Sequence, residues 1–257
     1  MIQTFLRMNR IVSTIKFGFD DNALSLLKDF DISLSVKNAV YLLRICIQFN
    51  AEQIIKWLMT CSINRFYLRE LYSEYIFINA CDRGFLDIVK ILILNNVINP
   101  GIQSSKSIKL ASEKGHLGIV KLLLLDKRVD PSANNNYAIR LASQYGHIEV
   151  VKLLLLDERV LPDDHDNQAI ELASEYGHLE IVKLLLLDDR VDPSDNNNYA
   201  IKLASRLGYL EIVKLLLSDK RVVSGDNDDY AIRYAHRNKH FEVVKLLEEA
   251  GWESNSK

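Results

Sequence analysis

The feature that most constrains this chain is a string that recurs every 31 residues. It reads NNYAIRLASQYGHIEVVKLLLL at 135–156, DNQAIELASEYGHLEIVKLLLL at 166–187 and NNYAIKLASRLGYLEIVKLLL at 197–217. The same step separates one alanine, one glycine and all four prolines of the chain: Ala80, Ala111, Ala142, Ala173, Ala204, Ala235; Gly84, Gly115, Gly146, Gly177, Gly208; Pro100, Pro131, Pro162, Pro193. Self-similarity at such a period indicates a repeat protein in which each unit packs on its sequence neighbours.

Each repeat has the pattern of two short helices joined by a tight turn. Ile139 and Ala142 have helical spacing, and Gly146 follows where a helix commonly ends on a left-handed residue. The segment HIEVVKLLLL then carries a second apolar stripe, in which Glu149 and Lys152 are spaced for an ion pair. The proline and asparagines of RVDPSANNN predict a tight, hairpin-like turn before the next unit.

The unit N-N-Y-A-I-R-L-A-S-Q-Y-G-H-I-E-V-V-K-L-L resembles an ankyrin repeat, whose pattern is approximately G-x-T-P-L-H-x-A-A-x-x-G-H-x-E-x-V-x-x-L-L. The resemblance implies an all-α fold, an ankyrin-type α-solenoid of stacked helix-turn-helix repeats joined by short hairpin-like loops. Residues 137–140, Tyr-Ala-Ile-Arg, replace the T-P-L-H box, so the Thr and His that bond between repeats in that family are absent. Arrays rich in Asn, Ile and Lys are similar to those of large DNA viruses and of protists.

The repeat pattern predicts four parts of the chain. Residues 1–37 are expected to form a degenerate N-terminal capping unit, and residues 38–72 an irregular first repeat in which Asn50 replaces the turn glycine. Residues 73–250 are predicted to be tandem repeats, the last of them a C-terminal cap, and residues 251–257 a frayed tail.

The last two repeats carry polar residues where earlier ones have leucine. Ser218 and Glu249 occupy the place of Leu125, Leu156 and Leu187. In the last repeat Glu248 likewise occupies the position that Leu217 has in the repeat before it. Because an end repeat has no neighbour to cover it, we interpret these changes as a polar end face.

Composition narrows the class of protein. With 48% apolar and 26% charged residues, the chain is typical of a folded protein. A net charge of −2 argues against a dedicated nucleic-acid binder. The odd set Cys46, Cys61 and Cys81 has no CxxC, so we expect buried, reduced thiols. No signal segment or membrane span is recognised, so we expect a cytoplasmic monomer, with the nucleus left open.

The sequence favours a protein without catalysis, cofactor or metal. It contains no phosphate loop, HExxH, G-x-S-x-G or kinase signature. His236 and His240 flank a turn position and are predicted to lie on different elements. The run DDHD at 163–166 lacks the oxygen ligands that calcium needs and is interpreted as a solvated loop tip.

Recognition of a partner protein is the remaining function. Repeat stacks bind through an extended concave face, where side chains vary from repeat to repeat while packing positions do not. The variable positions on the first helix of each repeat are Tyr137, Arg140, Gln144, Tyr145, Gln168, Glu171, Glu175, Tyr176, Tyr199, Lys202, Arg206, Leu207, Tyr230, Arg233, Arg237 and Asn238. All but Leu207 and Asn238 are our candidate contacts, since Tyr and Arg are enriched at interface hot spots.

The charges suggest the chemistry of the partner. Lys202, Arg206, Arg233 and Arg237 share one stripe, whereas the hairpin tips are acidic: Asp157, Glu158, Asp163, Asp164, Asp188, Asp189, Asp192 and Asp195. We therefore expect the C-terminal half of the groove to take an acidic or mixed-charge protein segment. Two alternatives stay open: an adaptor that recruits a target to machinery such as a ubiquitin ligase, and nucleic-acid binding through the basic stripe.

Overall fold

The structure is a computed structural model that describes residues 2–29, 36–60, 74–94, 98–224 and 229–252. The described residues form α-helices joined by turns and contain no β-strand. The predicted all-α fold is therefore confirmed. The chain divides into two compact units, residues 1–111 and 112–257.

The N-terminal unit is built from helical hairpins. Its helices are α1 (Ile2–Lys16), α2 (Asp20–Asp29), α3 (Val36–Phe49), α4 (Glu52–Thr60), α5 (Glu74–Arg83), α6 (Leu86–Leu94) and most of α7 (Ile102–Glu113). Within each hairpin α1 packs on α2, α3 on α4, and α5 on α6. The first helices also pack on one another, α1 on α3 and α3 on α5, so the hairpins are stacked.

The C-terminal unit repeats this arrangement more regularly. Its helices are α8 (Leu117–Leu124), α9 (Ala133–Gln144), α10 (Ile148–Leu155), α11 (Asp164–Glu175), α12 (Leu179–Leu186), α13 (Asp195–Leu207), α14 (Leu210–Leu217), α15 (Asp229–Arg237) and α16 (Phe241–Glu249). The first helices α9, α11, α13 and α15 pack on one another in order, and the second helices α8, α10, α12, α14 and α16 do the same. This is the stacking expected of an α-solenoid.

The turn between the two helices of a repeat depends on glycine for two reasons. Gly146 has φ +78°, and the N–H of His147 donates to the carbonyl of Ala142, which closes the first helix with a Schellman turn. A Cβ on Gly146 would also lie 2.7 Å from Cε1 of His178 in the next repeat. The rings of His147 and His178 thus pack on the turn glycines of the preceding repeats, Gly115 and Gly146.

Left-handed asparagines begin the first helices. Asn134, Asn135 and Asn136 have φ between +54° and +58°, so the right-handed helix of α9 starts only at Tyr137. Asn tolerates this conformation better than other side chains that carry a Cβ. The asparagine cluster therefore forms part of the turn that precedes the helix.

Asparagine and histidine form bonds between repeats where the T-P-L-H box is missing. The N–H of Leu161 donates to Oδ1 of Asn136 (2.8 Å), and Asn167 accepts the N–H of Asp192 in the same way (2.9 Å). Nε2 of His178 lies 2.9 Å from the carbonyl oxygen of Gln144. Each of these bonds joins one repeat to the next.

The leucines that end the second helices do not pack between repeats. Leu156 and Leu187 are each 82% exposed, and Leu125 is similarly exposed. The interpretation of Ser218 and Glu249 as capping substitutions is therefore wrong, because this position faces solvent in earlier repeats as well. A residue just past the last turn of the helix lies beyond the buried stripe.

The described part of the last repeat closes with a buried aromatic residue. Trp252 is 2% exposed, and its N–H donates to the carbonyl of Leu247 after Gly251 has turned the chain with φ +84°. Residues 251 and 252 of the predicted tail are thus part of the folded end, and residues 253–257 lie outside the described residues.

Candidate protein-interaction surface

The candidate contacts lie on α9, α11, α13 and α15 or directly follow α9 and α11. We call their exposed and half-buried side chains the first-helix surface. The structure divides the candidates into exposed (Tyr145, Tyr176, Tyr199, Arg233, Arg237), half-buried (Tyr137, Arg140, Gln144, Gln168, Glu175, Arg206, Tyr230) and buried (Glu171, Lys202). Twelve of the fourteen side chains are thus open at least in part to a partner.

The expectation that every candidate is exposed is wrong for Glu171 and Lys202. They are 7% and 9% exposed. Nδ2 of Asn196, in the left-handed turn that begins α13, donates to Oε1 of Glu171 over 3.0 Å. The loop of the next repeat therefore uses Glu171 in packing between repeats.

Two exposed tyrosines mark adjacent repeats of this surface. Tyr145 and Tyr176 both follow the last residue of a first helix, immediately before the turn glycine. The hydroxyl of Tyr176 accepts a bond from Nε2 of Gln144 (3.0 Å), which links the two repeats at the surface. The ring of Tyr145 stacks on that of His147, with the ring centres 6.5 Å apart. Both rings are thus held by neighbours while half of each stays open.

The predicted basic stripe is partly neutralised within the stack. Nη2 of Arg206 lies 3.1 Å from Oε1 of Glu175 in the preceding repeat. The backbone carbonyl of Arg206 accepts a bond from Nδ2 of Asn238 in the following repeat (2.6 Å). Arg206 therefore connects three successive repeats, and its positive charge faces a carboxylate of the protein itself.

The last first helix carries an aromatic and basic cluster. The rings of Tyr230 and Tyr234 stack with centres 4.2 Å apart. The guanidinium carbons of Arg233 and Arg237 lie 5.5 and 5.9 Å from the centre of the Tyr234 ring. Sequence reasoning missed Tyr234 because it stands in register with Leu203, at a position taken as packing. The replacement of a leucine by tyrosine at that position was the available signal.

The hairpin tips contain an ion pair that sequence reasoning also missed. Asp157 accepts two bonds from Arg159, from Nε (2.8 Å) and Nη2 (2.6 Å), while Nη1 of the same arginine donates to the carbonyl of Val129 (2.9 Å). Asp188 and Arg190 form the same pair. The tips are therefore less acidic than expected. The signal was the repeated D-x-R-V, which keeps the 31-residue step.

The Asp–Arg pairs of the hairpin tips make the free energy of unfolding depend on pH in the acid range. The hydrogen bond from the arginine two residues on is the main cause that lowers the pKa of Asp126, Asp157, Asp188 and Asp219 below the ordinary range. A carboxyl whose pKa is lowered by folding stabilises the protein above its unfolded pKa of about 3.9 and loses that effect as the pH falls through the lower, folded value. We expect the urea midpoint to fall below about pH 4 and to fall less steeply in Asp157→Asn. An unchanged slope in that variant would contradict the role of the pair.

The described cysteines and the histidines His236 and His240 lie where the sequence predicts them. Cys46 and Cys81 are buried as expected, and Cys61 lies outside the described residues. Burial, with the charge of Asp82, raises the pKa of the Cys81 thiol far above its ordinary value, so this thiol is unreactive. His236 and His240 lie on either side of a turn, as expected.

No group of three metal-ligating side chains occurs within the described part of the chain. In the DDHD run at 163–166, the side chains of residues 164–166 lie outside that part. No helix in the described ranges has the length and apolarity to cross a membrane.

The stacked hairpins define the class of protein as an α-solenoid, and comparison with known families identifies which one. The family described as ankyrin repeats (3 copies) matches residues 43–135 and 108–197, which together cover more than half of the chain. The chain belongs to the ankyrin-repeat family. Members of this family are generally protein–protein interaction modules.

Solved structures of similar fold are also ankyrin repeats. An ankyrin repeat domain from Acinetobacter baumannii AYE is 20% identical with a TM-score of 0.57, and the match covers 70% of this chain and all of that domain. The human ASB11 ankyrin repeat domain is 22% identical with a TM-score of 0.60, over 72% of this chain and 87% of that one. These similarities show the fold. No curated protein matches the sequence.

Proposed function

We propose that this protein is a non-catalytic scaffold that binds a partner protein through the concave face of its repeat stack, which the first-helix surface would form. The proposal places the protein in the cytoplasm as a monomer. Its main support is the pair of half-exposed rings, Tyr145 and Tyr176, on adjacent repeats. Tyrosine buries a large area with few rotatable bonds, so two fixed rings in neighbouring repeats suit an interface hot spot.

The hydrogen bond between Gln144 and Tyr176 adds to this support. It holds a ring in place before any partner arrives, which reduces the entropy lost on binding. The outer ends of the second helices offer apolar side chains as well, Leu156 and Leu187, but a leucine has no polar group by which a neighbouring repeat could hold it in place. An aromatic pair with fixed geometry is the better basis for specific recognition.

The test is a comparison of captured proteins. The full chain, a Tyr145→Ala/Tyr176→Ala variant and a Leu156→Ser/Leu187→Ser variant are each used to capture proteins from the organism's own cells, followed by mass spectrometry. A partner should be captured by the wild type and by the leucine variant, and lost from the tyrosine variant, because truncating a hot-spot residue costs about 2 kcal/mol or more. Unfolding curves show whether each variant remains folded.

Other outcomes also decide the proposal. Equal capture by the tyrosine variant would overturn the assignment of this face. Loss of the partner only from the leucine variant would move the interface to the second helices. Ubiquitin-ligase subunits recovered together with the partner would identify the scaffold as an adaptor.

A further inference from the structure

The two ends of the predicted basic stripe differ in what surrounds their charges. In α13, Lys202 is buried and Arg206 faces the carboxylate of Glu175 at 3.1 Å. In α15, Arg233 and Arg237 are exposed. Among the candidate contacts, the exposed arginines are therefore those of α15.

The two exposed arginines share one aromatic platform. Both guanidinium groups lie within 6 Å of the centre of the Tyr234 ring, one from the preceding position and one from a turn later. Arg233 and Arg237 are four residues apart, a spacing that places side chains on one face of a helix. A cation over a tyrosine face is attracted to the ring and stays there at little cost in solvation, while its N–H groups remain able to donate. The arginines are thus placed before a ligand binds.

The platform also has an apolar component. Tyr230 stacks on Tyr234 at 4.2 Å, and both side chains are only half buried. Earlier repeats carry leucines at the position of Tyr234, of which Leu141 and Leu203 are buried and Leu172 is half-buried. In the last repeat this position carries a tyrosine, whose ring is apolar and whose hydroxyl is polar. Such a side chain can face water and can also pack against a bound partner.

We propose that the terminal cluster, formed by Tyr230, Arg233, Tyr234 and Arg237, receives a protein segment that carries carboxylates next to an aromatic or other large apolar side chain. This inference rests on the proposed function. It specifies the chemistry of the partner segment and the repeat that binds it. The carboxylates pair with the guanidinium groups, where bidentate geometry is favoured, and the apolar side chain packs against the stacked rings.

Charge favours an acidic polypeptide over a nucleic acid. A nucleic-acid backbone needs a basic track that follows several phosphates. Here the exposed arginines span one helical turn, and the next position toward the N-terminus along the surface is the Glu175–Arg206 pair. A short run of carboxylates needs only the two guanidinium groups of the cluster.

The experiment measures binding of defined probes to the full chain by fluorescence anisotropy. The probes are a short Glu-rich peptide with a central Trp, the same peptide with every Glu replaced by Gln, the Glu-rich peptide with Ala in place of Trp, and a single-stranded oligonucleotide. The protein variants are Arg233→Glu/Arg237→Glu, the milder Arg237→Gln, and Lys220→Glu as a control that changes charge at an exposed loop tip.

The expected result is binding of the Glu/Trp peptide that weakens with salt and falls about tenfold or more in the double variant, because attraction becomes like-charge repulsion. Arg237→Gln should show a smaller loss, and Lys220→Glu should bind within about twofold of wild type, because rim charges away from a site contribute little. Both altered peptides should bind more weakly than the Glu/Trp peptide.

Three results would overturn the inference. These are equal loss in Lys220→Glu and the double variant, equal binding of the Gln peptide, and tighter binding of the oligonucleotide. The native partner separates this inference from the proposed function. If that partner is lost from Tyr145→Ala/Tyr176→Ala but binds Arg233→Glu/Arg237→Glu normally, the scaffold function stands and the terminal cluster is not its acidic-segment site.

Discussion

Replacing Leu185 by alanine is expected to lower the free energy of unfolding by about 2–5 kcal/mol. Leu185 is fully buried in α12, which packs between α10 and α14. Removing its side chain therefore takes apolar contacts from both neighbouring repeats and leaves a cavity that rigid helices on either side cannot close. The loss should be close to the upper part of that range, because the regular packing leaves little room to collapse.

The matched control is two residues away on the same helix end. Leu187→Ala makes the same chemical change at a side chain that is 82% exposed, so its effect should stay within about 0.5 kcal/mol. Urea denaturation of both variants measures the difference. Equal destabilisation by the two substitutions would show that Leu185 is not the core position that the structure makes it.

Hydrogen exchange should show where the Leu185→Ala protein opens. Because repeats couple mainly to their nearest neighbours, protection should fall first in the middle repeats, α11 to α14, and less toward the ends. Protection that falls uniformly along the chain would contradict nearest-neighbour coupling and indicate a single cooperative unit.

The helices and turns were predictable because their signals are local. The turn at Gly146 and the left-handed asparagines follow from the backbone preferences of these residue types. The first helix follows from the helical spacing of apolar residues such as Ile139 and Ala142. The exposure of Leu187 was not predictable from the same pattern, since it depends on where the helix ends against its neighbours. Leu185 is fully buried, whereas Leu187, two residues further along, is 82% exposed.

The candidate surface was predicted only in part, for a related reason. Variation between repeats correctly indicated that Tyr145 and Tyr176 are accessible. It failed for Glu171, because a polar residue can vary between repeats and still be buried when the next loop supplies a partner such as Asn196. Pairing across repeats, as between Glu175 and Arg206, requires three-dimensional register and cannot be read from one repeat alone.

Replacing Trp252 by alanine is expected to destabilise the last repeat by about 3–5 kcal/mol, the range for removing a large buried aromatic side chain. Trp252 follows Gly251 in a Schellman turn, in which its N–H donates to the carbonyl of Leu247, and its side chain is only 2% exposed. In this motif the residue after the left-handed glycine usually makes an apolar contact with the last helical turn.

Because repeats are coupled to their neighbours, the effect of Trp252→Ala should appear as opening of α15 and α16 before the rest of the unit. Hydrogen exchange measured helix by helix, with Trp252→Phe as the matched variant, tests this expectation. Phenylalanine retains most of the buried area, so its loss of protection should be the smaller of the two. Opening α15 also separates Arg233 and Arg237 from the Tyr234 ring. Trp252→Ala should therefore weaken binding of the Glu/Trp peptide in proportion to the fraction of molecules in which α15 is open. A variant that loses protection in these helices yet binds the peptide normally would show that the terminal cluster does not need the folded repeat.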